Sequence, residues 1–173
     1  MGVITIDGRQ RLCRGVSMND NEYMRRVRAM EGQLYRISQA ILWREADCLD
    51  AVQEAVFRGW MKKDSLRDPD RLESWLVRIL VNQCRDILRR RRESSALALE
   101  PSVEDTLCED LQLRMALKQL PGKYRLLLVL RYMEGWPVKE IACMLRLPQG
   151  LVTSRLHQAR KALRVKLDGG EER

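Results

Sequence analysis

The sequence predicts an all-α protein made of two small helical domains joined by an acidic linker. Apolar residues recur with helical spacing almost without interruption from Glu22 onward. Four of the five prolines lie at or near predicted helix starts, where a missing backbone N–H costs least; they are Pro69, Pro121, Pro137 and Pro148. The periodicity stops at residues 93–110, a polar stretch with six acidic side chains and no basic one, which is typical of a linker.

The periodicity predicts helices at residues 22–43, 47–62, 70–92, 107–119, 122–133, 137–145 and 150–167. These helices group into a domain at residues 22–92 and a domain at residues 111–168, with the linker at residues 93–110 between them. Residues 169–173 form a short tail.

Residues 1–21 are predicted to be an N-terminal leader. They contain three glycines and show no sustained periodicity. A short ordered arm is the alternative. Met18 is therefore a candidate for the native start in place of Met1.

The composition favours a polyanionic partner and excludes several classes of protein. The net charge is +8, with 19 Lys or Arg against 13 Asp or Glu in residues 1–92 and 13 against 5 in residues 111–173. No apolar run is long enough to insert in a membrane and no signal peptide is evident, so we expect a cytoplasmic protein. The five cysteines are scattered and never in CxxC spacing; they are interpreted as small buried hydrophobes, and no metal or cofactor is predicted.

The helix at residues 47–62 carries acidic and amide side chains on one side. Such a cluster is a poor surface for DNA and suits contact with another protein, although a plain solvated face would look similar; its members are Asp50, Gln53 and Glu54. The opposite, core-facing side is predicted at Val52, Val56 and Trp60.

The helix at residues 70–92 is basic along one side. A stripe of cationic and amide side chains runs into four consecutive arginines; the stripe consists of Arg78, Asn82, Arg85 and Arg89. A helix end stabilised by its dipole would explain the arginines. A cationic stripe is also what phosphate binding requires, and we favour that interpretation.

The most specific pattern is a helix-turn-helix in the last third of the chain. Two short amphipathic helices flank a turn at Leu147-Pro148, and their apolar positions are Val138, Ile141, Ala142, Leu145, Val152, Leu156, Ala159 and Leu163. The second helix leaves hydrogen-bonding side chains on its other side, fit to meet base edges in a major groove; they are Thr153, Ser154, His157, Gln158 and Lys161. An ordinary αα-hairpin is the alternative.

Taken together, residues 50–54, residues 74–90 and the helix-turn-helix resemble bacterial sigma factors of the extracytoplasmic-function (ECF) group of the sigma-70 family. The resemblance covers about residues 22–167. It implies a two-domain initiation factor without catalytic chemistry, which binds bacterial core RNA polymerase and promoter DNA. Such proteins are commonly held inactive by an anti-sigma factor, so one is implied here.

The resemblance also assigns roles to residues. The first domain would bind polymerase through Asp50, Gln53 and Glu54. The loop before the basic helix would capture an unstacked minus-ten base, and the helix would hold that strand's phosphates; these minus-ten residues are Lys62, Lys63, Ser65, Arg67, Trp75, Arg78, Asn82, Arg85, Arg89 and Arg90. The second domain would read the minus-thirty-five element with Gln149, Thr153, Ser154, Arg155, His157, Gln158, Arg160 and Lys161.

The chain departs from the family pattern in the helix-turn-helix. Arg146 stands where a glycine is usual, and Pro148 stands where a serine cap is usual. The missing cap oxygen is expected to lower the local stability by about 1 kcal/mol. Thr153 and Gln158 occupy positions that are often basic, so the promoter sequence should be distinctive. Phosphate affinity would then rest on Arg155, Arg160 and Lys161.

An autonomous helix-turn-helix repressor is the alternative function. It predicts tight operator binding by the free protein, whereas a sigma factor binds weakly until polymerase fixes the spacing of its domains. A helical adaptor that binds only proteins would leave residues 89–92 unexplained. An enzyme is least supported, because the single histidine, His157, lies on the recognition face and no phosphate loop or nucleophile-base spacing is present.

Overall fold

The structure, a computed structural model, describes residues 18–93 and 110–168, which are almost entirely helical and contain no β-strand. The helices are α1 (Asp20–Gln39), α2 (Glu45–Lys62), α3 (Leu72–Glu93), α4 (Leu111–Lys118), α5 (Gly122–Leu128), α6 (Val138–Leu145) and α7 (Gln149–Leu167). Short 3-10 turns at Lys63–Ser65 and Pro69–Arg71 join α2 to α3, and a π-helical turn at Val129–Met133 extends α5. The all-α prediction is confirmed. No helix in the described part of the chain is long and apolar enough to cross a membrane.

Most helix boundaries lie within about two residues of the sequence prediction, and two differ by more, for local reasons. α1 ends at Gln39 rather than near residue 43, and the backbone turns over residues 40–44. α4 begins at Leu111 because the Asp110 carboxylate caps it, accepting from the backbone N–H of Gln112 at 2.8 Å. The predicted leader apart from its last residues, nearly all of the linker and the tail lie outside the described residues.

The first three helices pack as one lobe around small residues of α2. The buried side of α2 consists of Cys48, Ala51, Ala55 and Gly59. Val52 and Val56 are half-buried at the margin of the core, and Trp60 is 38% exposed, so the predicted core side was wrong for Trp60. The close approach is tightest at Gly59, where an added Cβ would overlap the Tyr23 hydroxyl.

The last four helices form a second lobe that contains the predicted helix-turn-helix. α6 buries Ile141, Ala142, Met144 and Leu145, and α7 buries Val152, Leu156 and Ala159. Arg146 ends α6 in the left-handed region at φ 54°. The N-cap of α7 is Pro148, which makes no side-chain cap bond. The helix-turn-helix therefore forms without the glycine and the cap oxygen that usually shape its turn.

The two lobes are docked against each other, a feature that the sequence did not predict. Arg36 of α1 donates from Nε and Nη2 to the two carboxylate oxygens of Glu134, at 2.8 and 3.1 Å, and the Glu134 side chain is only 3% exposed. The hydrogen bond to Glu134 raises the pKa of Arg36. This pair joins α1 to the end of the π-helical turn. Removing either partner would destabilise the interface, because the remaining charge would lose its counter-ion.

A buried arginine strengthens the same interface. Arg125 of α5 is 3% exposed, and its Nε donates to the Ala40 carbonyl at 2.6 Å. Its Nη1 donates to the Leu120 carbonyl at 3.0 Å, and its guanidinium lies 3.9 Å from the centre of the Trp43 ring. Backbone carbonyls and an aromatic face thus solvate the buried charge from both lobes.

The cysteines do not share one environment. Cys48 and Cys84 are buried, whereas Cys143 is exposed, so the prediction of buried thiols was wrong for Cys143. Burial, with a smaller contribution from the neighbouring Cys48, raises the pKa of Cys84 to about 12. Cys13 and Cys108 lie outside the described residues.

Candidate nucleic-acid and protein interfaces

The predicted protein-contact residues meet in one groove. Asp50, Gln53 and Glu54 line a cavity of about 570 Å³ between α2 and α3. Asp50 and Gln53 are exposed, while Glu54 is half-buried and accepts from Arg58 Nε at 2.5 Å. Gln83 of α3, which is 3% exposed, also lines the groove. The groove is therefore a concave surface with charged and amide side chains, which could form hydrogen bonds with a partner protein.

An apolar stripe lies beside this groove, and sequence reasoning missed it. Leu49, Phe57 and Met61 are 46%, 56% and 63% exposed. Their spacing in multiples of four places them with Gln53 on one side of α2. The spacing was readable in the sequence, but only the structure shows that these side chains are left uncovered. The groove beside the stripe carries charges of both signs, since Arg58 and Arg90 line it as well as Asp50 and Glu54. Exposed apolar side chains bordered by polar ones are typical of a protein interface.

Four of the predicted minus-ten residues lie at the end of α2 and in the loop that joins it to α3, and three of them are exposed to solvent. Lys62, Ser65 and Arg67 are exposed, and the Ser65 hydroxyl donates to the Lys62 carbonyl at 2.6 Å. Lys63 differs, because its ammonium bonds to Asp20 at 2.9 Å and its side chain is only 16% exposed. The hydrogen bond to Asp20 raises the pKa of Lys63. Lys63 is thus held by Asp20 at the start of the loop and is less available to DNA than the other three.

The six predicted residues on α3 fall into two groups. Trp75 and Arg78 are half-buried and line a cleft of about 580 Å³, whose other wall includes Lys139 and Met144 of α6. The rest lie further along α3 and are exposed; they are Asn82, Arg85, Arg89 and Arg90. In the docked arrangement the second lobe therefore covers the N-terminal part of the predicted strand-binding face and leaves the C-terminal part accessible.

The predicted minus-thirty-five residues form one continuous surface on α7. Seven of them are exposed and one, Arg155, is half-buried; the exposed ones are Gln149, Thr153, Ser154, His157, Gln158, Arg160 and Lys161. They lie away from the buried stripe of α7. Two have part of their hydrogen bonding occupied within the protein. The Thr153 hydroxyl donates to the Gln149 carbonyl at 3.1 Å, and the Gln158 side-chain oxygen accepts from the Tyr124 hydroxyl at 2.9 Å.

Tyr124 is a residue that sequence reasoning missed. It precedes Gln158 by 34 positions and lies on a different helix. Since the packing of α5 on α7 brings the two together, no local pattern could have indicated the contact.

Two protein-family models together match most of the chain. Sigma-70 region 2 matches residues 26–94, and sigma-70 region 4 matches residues 110–163. Among curated proteins, the chain is 30% identical over 139 residues to the RNA polymerase sigma factor SigV of Bacillus subtilis, covering 77% of this chain and 83% of that protein. It is 32% identical over 136 residues to the ECF RNA polymerase sigma factor SigM of Mycobacterium tuberculosis, covering 76% and 69%.

Two solved structures share the fold. The sigma factor RpoE of Bartonella quintana, in complex with the anti-sigma factor NepR, superposes with a TM-score of 0.72 at 22% identity, covering 87% of this chain and 99% of that one. CnrH, in complex with the cytosolic domain of CnrY, superposes with a TM-score of 0.68 at 26% identity, covering 90% and 93%.

Proposed function

The chain belongs to the sigma-70 family, in its ECF group, and we propose that it directs bacterial core RNA polymerase to promoters whose two elements are read by its two lobes. Family membership favours this function over the autonomous repressor. We further propose that the protein works in the cytoplasm, supplies no catalytic chemistry of its own, and is held inactive by an anti-sigma factor, as RpoE is bound by NepR in the structure that shares this fold.

The continuous polar surface of α7 is the observation that carries the proposal. In our proposal α7 enters the major groove of the minus-thirty-five element, with Ser154, His157 and Gln158 at base edges and Arg160 and Lys161 at phosphates. The support is their common exposure on one side of a helix whose other side is buried.

The first lobe is proposed to bind polymerase and the minus-ten element. The groove lined by Asp50, Gln53 and Glu54, with its neighbouring apolar stripe, is the proposed polymerase contact. The exposed part of α3 would hold the phosphates of the separated strand, because Arg85, Arg89 and Arg90 present positive charge there. Trp75 lies where an unstacked base could meet an aromatic face, but only once the cleft has opened.

The docked arrangement implies that the lobes separate before both elements are read. Positions minus ten and minus thirty-five are about 25 base pairs apart, which corresponds to about 85 Å along B-form DNA. α3 and α6 are in direct contact here, and the cleft between them contains Trp75 and Arg78. We therefore propose that polymerase binding draws the second lobe away from α3.

Run-off transcription from a promoter library tests this function directly. Core polymerase should start transcription at a shared two-part motif only when the protein is added. Tight DNA binding by the free protein, without polymerase-dependent transcripts, would instead support the repressor.

Arg89→Ala combined with Arg90→Ala should lower open-complex formation and its salt sensitivity. Arg25→Ala combined with Arg28→Ala, which removes two exposed charges from α1, is the matched control; equal effects of the two pairs would contradict the role of α3.

A further inference from the structure

A single hydrogen bond connects α5 to the reading surface of α7. The Tyr124 hydroxyl donates to the side-chain oxygen of Gln158 over 2.9 Å, and Gln158 is exposed among the proposed base-reading residues. We propose that Tyr124 determines promoter specificity by orienting the Gln158 amide, so that Gln158 presents its NH₂ group to the DNA. This proposal rests on the function proposed above.

The structure holds Tyr124 firmly in place. Its ring is half-buried where α5 packs on α7, and its backbone N–H donates to the Pro121 carbonyl at 2.8 Å. The next residue is Arg125, whose buried guanidinium donates to the Ala40 carbonyl. The anchored backbone and the half-buried ring restrict Tyr124 more than the exposed side chain of Gln158 is restricted, so the bond orients the glutamine rather than the tyrosine.

The position of Tyr124 also suits contact with a DNA-bound surface. The ammonium of the exposed Lys123 lies 5.0 Å from the centre of the Tyr124 ring. A cation beside the reading helix is placed to meet a phosphate that flanks the bases. The bond between the Tyr124 hydroxyl and Gln158 is itself exposed, so the hydroxyl lies at the edge of the reading surface and not behind it.

The hydrogen bond selects which half of the Gln158 amide faces the bases. A glutamine side chain has one acceptor oxygen and an NH₂ group with two donors. Reading adenine takes both at once, because the oxygen accepts from N6 while the NH₂ donates to N7. When the oxygen is turned toward Tyr124, the NH₂ is the group left to project. Gln158 is then set to donate to base-edge acceptors, such as guanine N7 and O6 or thymine O4. Adenine is disfavoured, because it offers the N7 acceptor alone and its N6 donor would have no partner.

Removing only the tyrosine hydroxyl tests this mechanism. In transcription by the reconstituted holoenzyme, a library randomised across the minus-thirty-five element and constant at the minus-ten element would be compared for wild type, Tyr124→Phe, Gln158→Ala and the double variant. We expect Tyr124→Phe to move the preference at one position toward adenine by about two- to tenfold, the range that one hydrogen bond spans. The other positions should keep their wild-type preferences.

The double variant and two controls make the outcomes separable. In the Gln158→Ala background, Tyr124→Phe should have no further effect; an equal shift in that background would mean that Tyr124 contacts DNA itself and would overturn the proposal. An unchanged base profile for Tyr124→Phe would overturn it as well, as would a uniform loss at all positions in a protein whose thermal unfolding is unaltered. Tyr132→Phe, which removes the hydroxyl of a tyrosine that is 57% exposed on the π-helical turn, is the matched control. A wild-type holoenzyme that selects no two-part motif would refute the proposed sigma function, and this inference with it.

Discussion

Reversing either charge of the Arg36–Glu134 pair should separate the two lobes, and reversing both together should bring them back into contact. The Glu134 side chain is 3% exposed, and both of its oxygens are bonded to Arg36. Breaking a buried ion pair costs about 3–5 kcal/mol when the remaining charge stays buried. Glu134 can regain water if the lobes separate, and Arg36 is already 37% exposed, so the expected bias toward the open form is smaller, about 1–2 kcal/mol. That bias corresponds to a roughly 5- to 30-fold change in the ratio of open to closed protein.

The assay is fluorescence energy transfer between one dye on α2 and one on α7 in the free protein. Arg36→Glu and Glu134→Arg should each lower the transfer, because each places like charges at the interface. The double variant should recover most of it, since the pair is restored with its partners exchanged. Arg28→Glu reverses an exposed charge on α1 and should leave the transfer unchanged. Wild-type transfer in both single variants would refute the reasoning that this pair holds the lobes together.

Three further predictions concern stability and reactivity. Gly59→Ala should lower the free energy of unfolding by about 1–3 kcal/mol in urea denaturation, because its Cβ would overlap the Tyr23 hydroxyl, whereas Gly150→Ala, with open space around it, should not; equal stabilities would contradict the close approach. Arg146→Gly should raise the free energy of unfolding by about 0.5–1 kcal/mol, because glycine adopts the left-handed backbone conformation of this position without steric strain. A lower free energy of unfolding would show that the contacts of the arginine side chain outweigh this strain. A thiol reagent near neutral pH should label Cys143 quickly and spare Cys84, whose burial raises its pKa to about 12; equal labelling in peptide mass mapping would be inconsistent with the described core.

Much of the candidate site was readable because helices translate spacing into faces. Residues 149–161 place their hydrogen-bonding side chains opposite a regular apolar stripe, and the structure puts them on one exposed side of α7. The same rule identified Asp50, Gln53 and Glu54, which meet in one groove. It failed for Trp60, because the buried side of α2 is built from small residues that a pattern of large apolar side chains does not reveal.

The sequence by itself determined the helices, their faces and the family to which the chain belongs, because these follow from local periodicity and from motifs in a set order. Only the tertiary structure decided which of the predicted side chains are available. Lys63 bonds to Asp20, Trp75 and Arg78 lie in the cleft against α6, and Tyr124 meets Gln158. Each of these contacts joins residues on different helices, and no periodicity within one helix specifies how it packs against another.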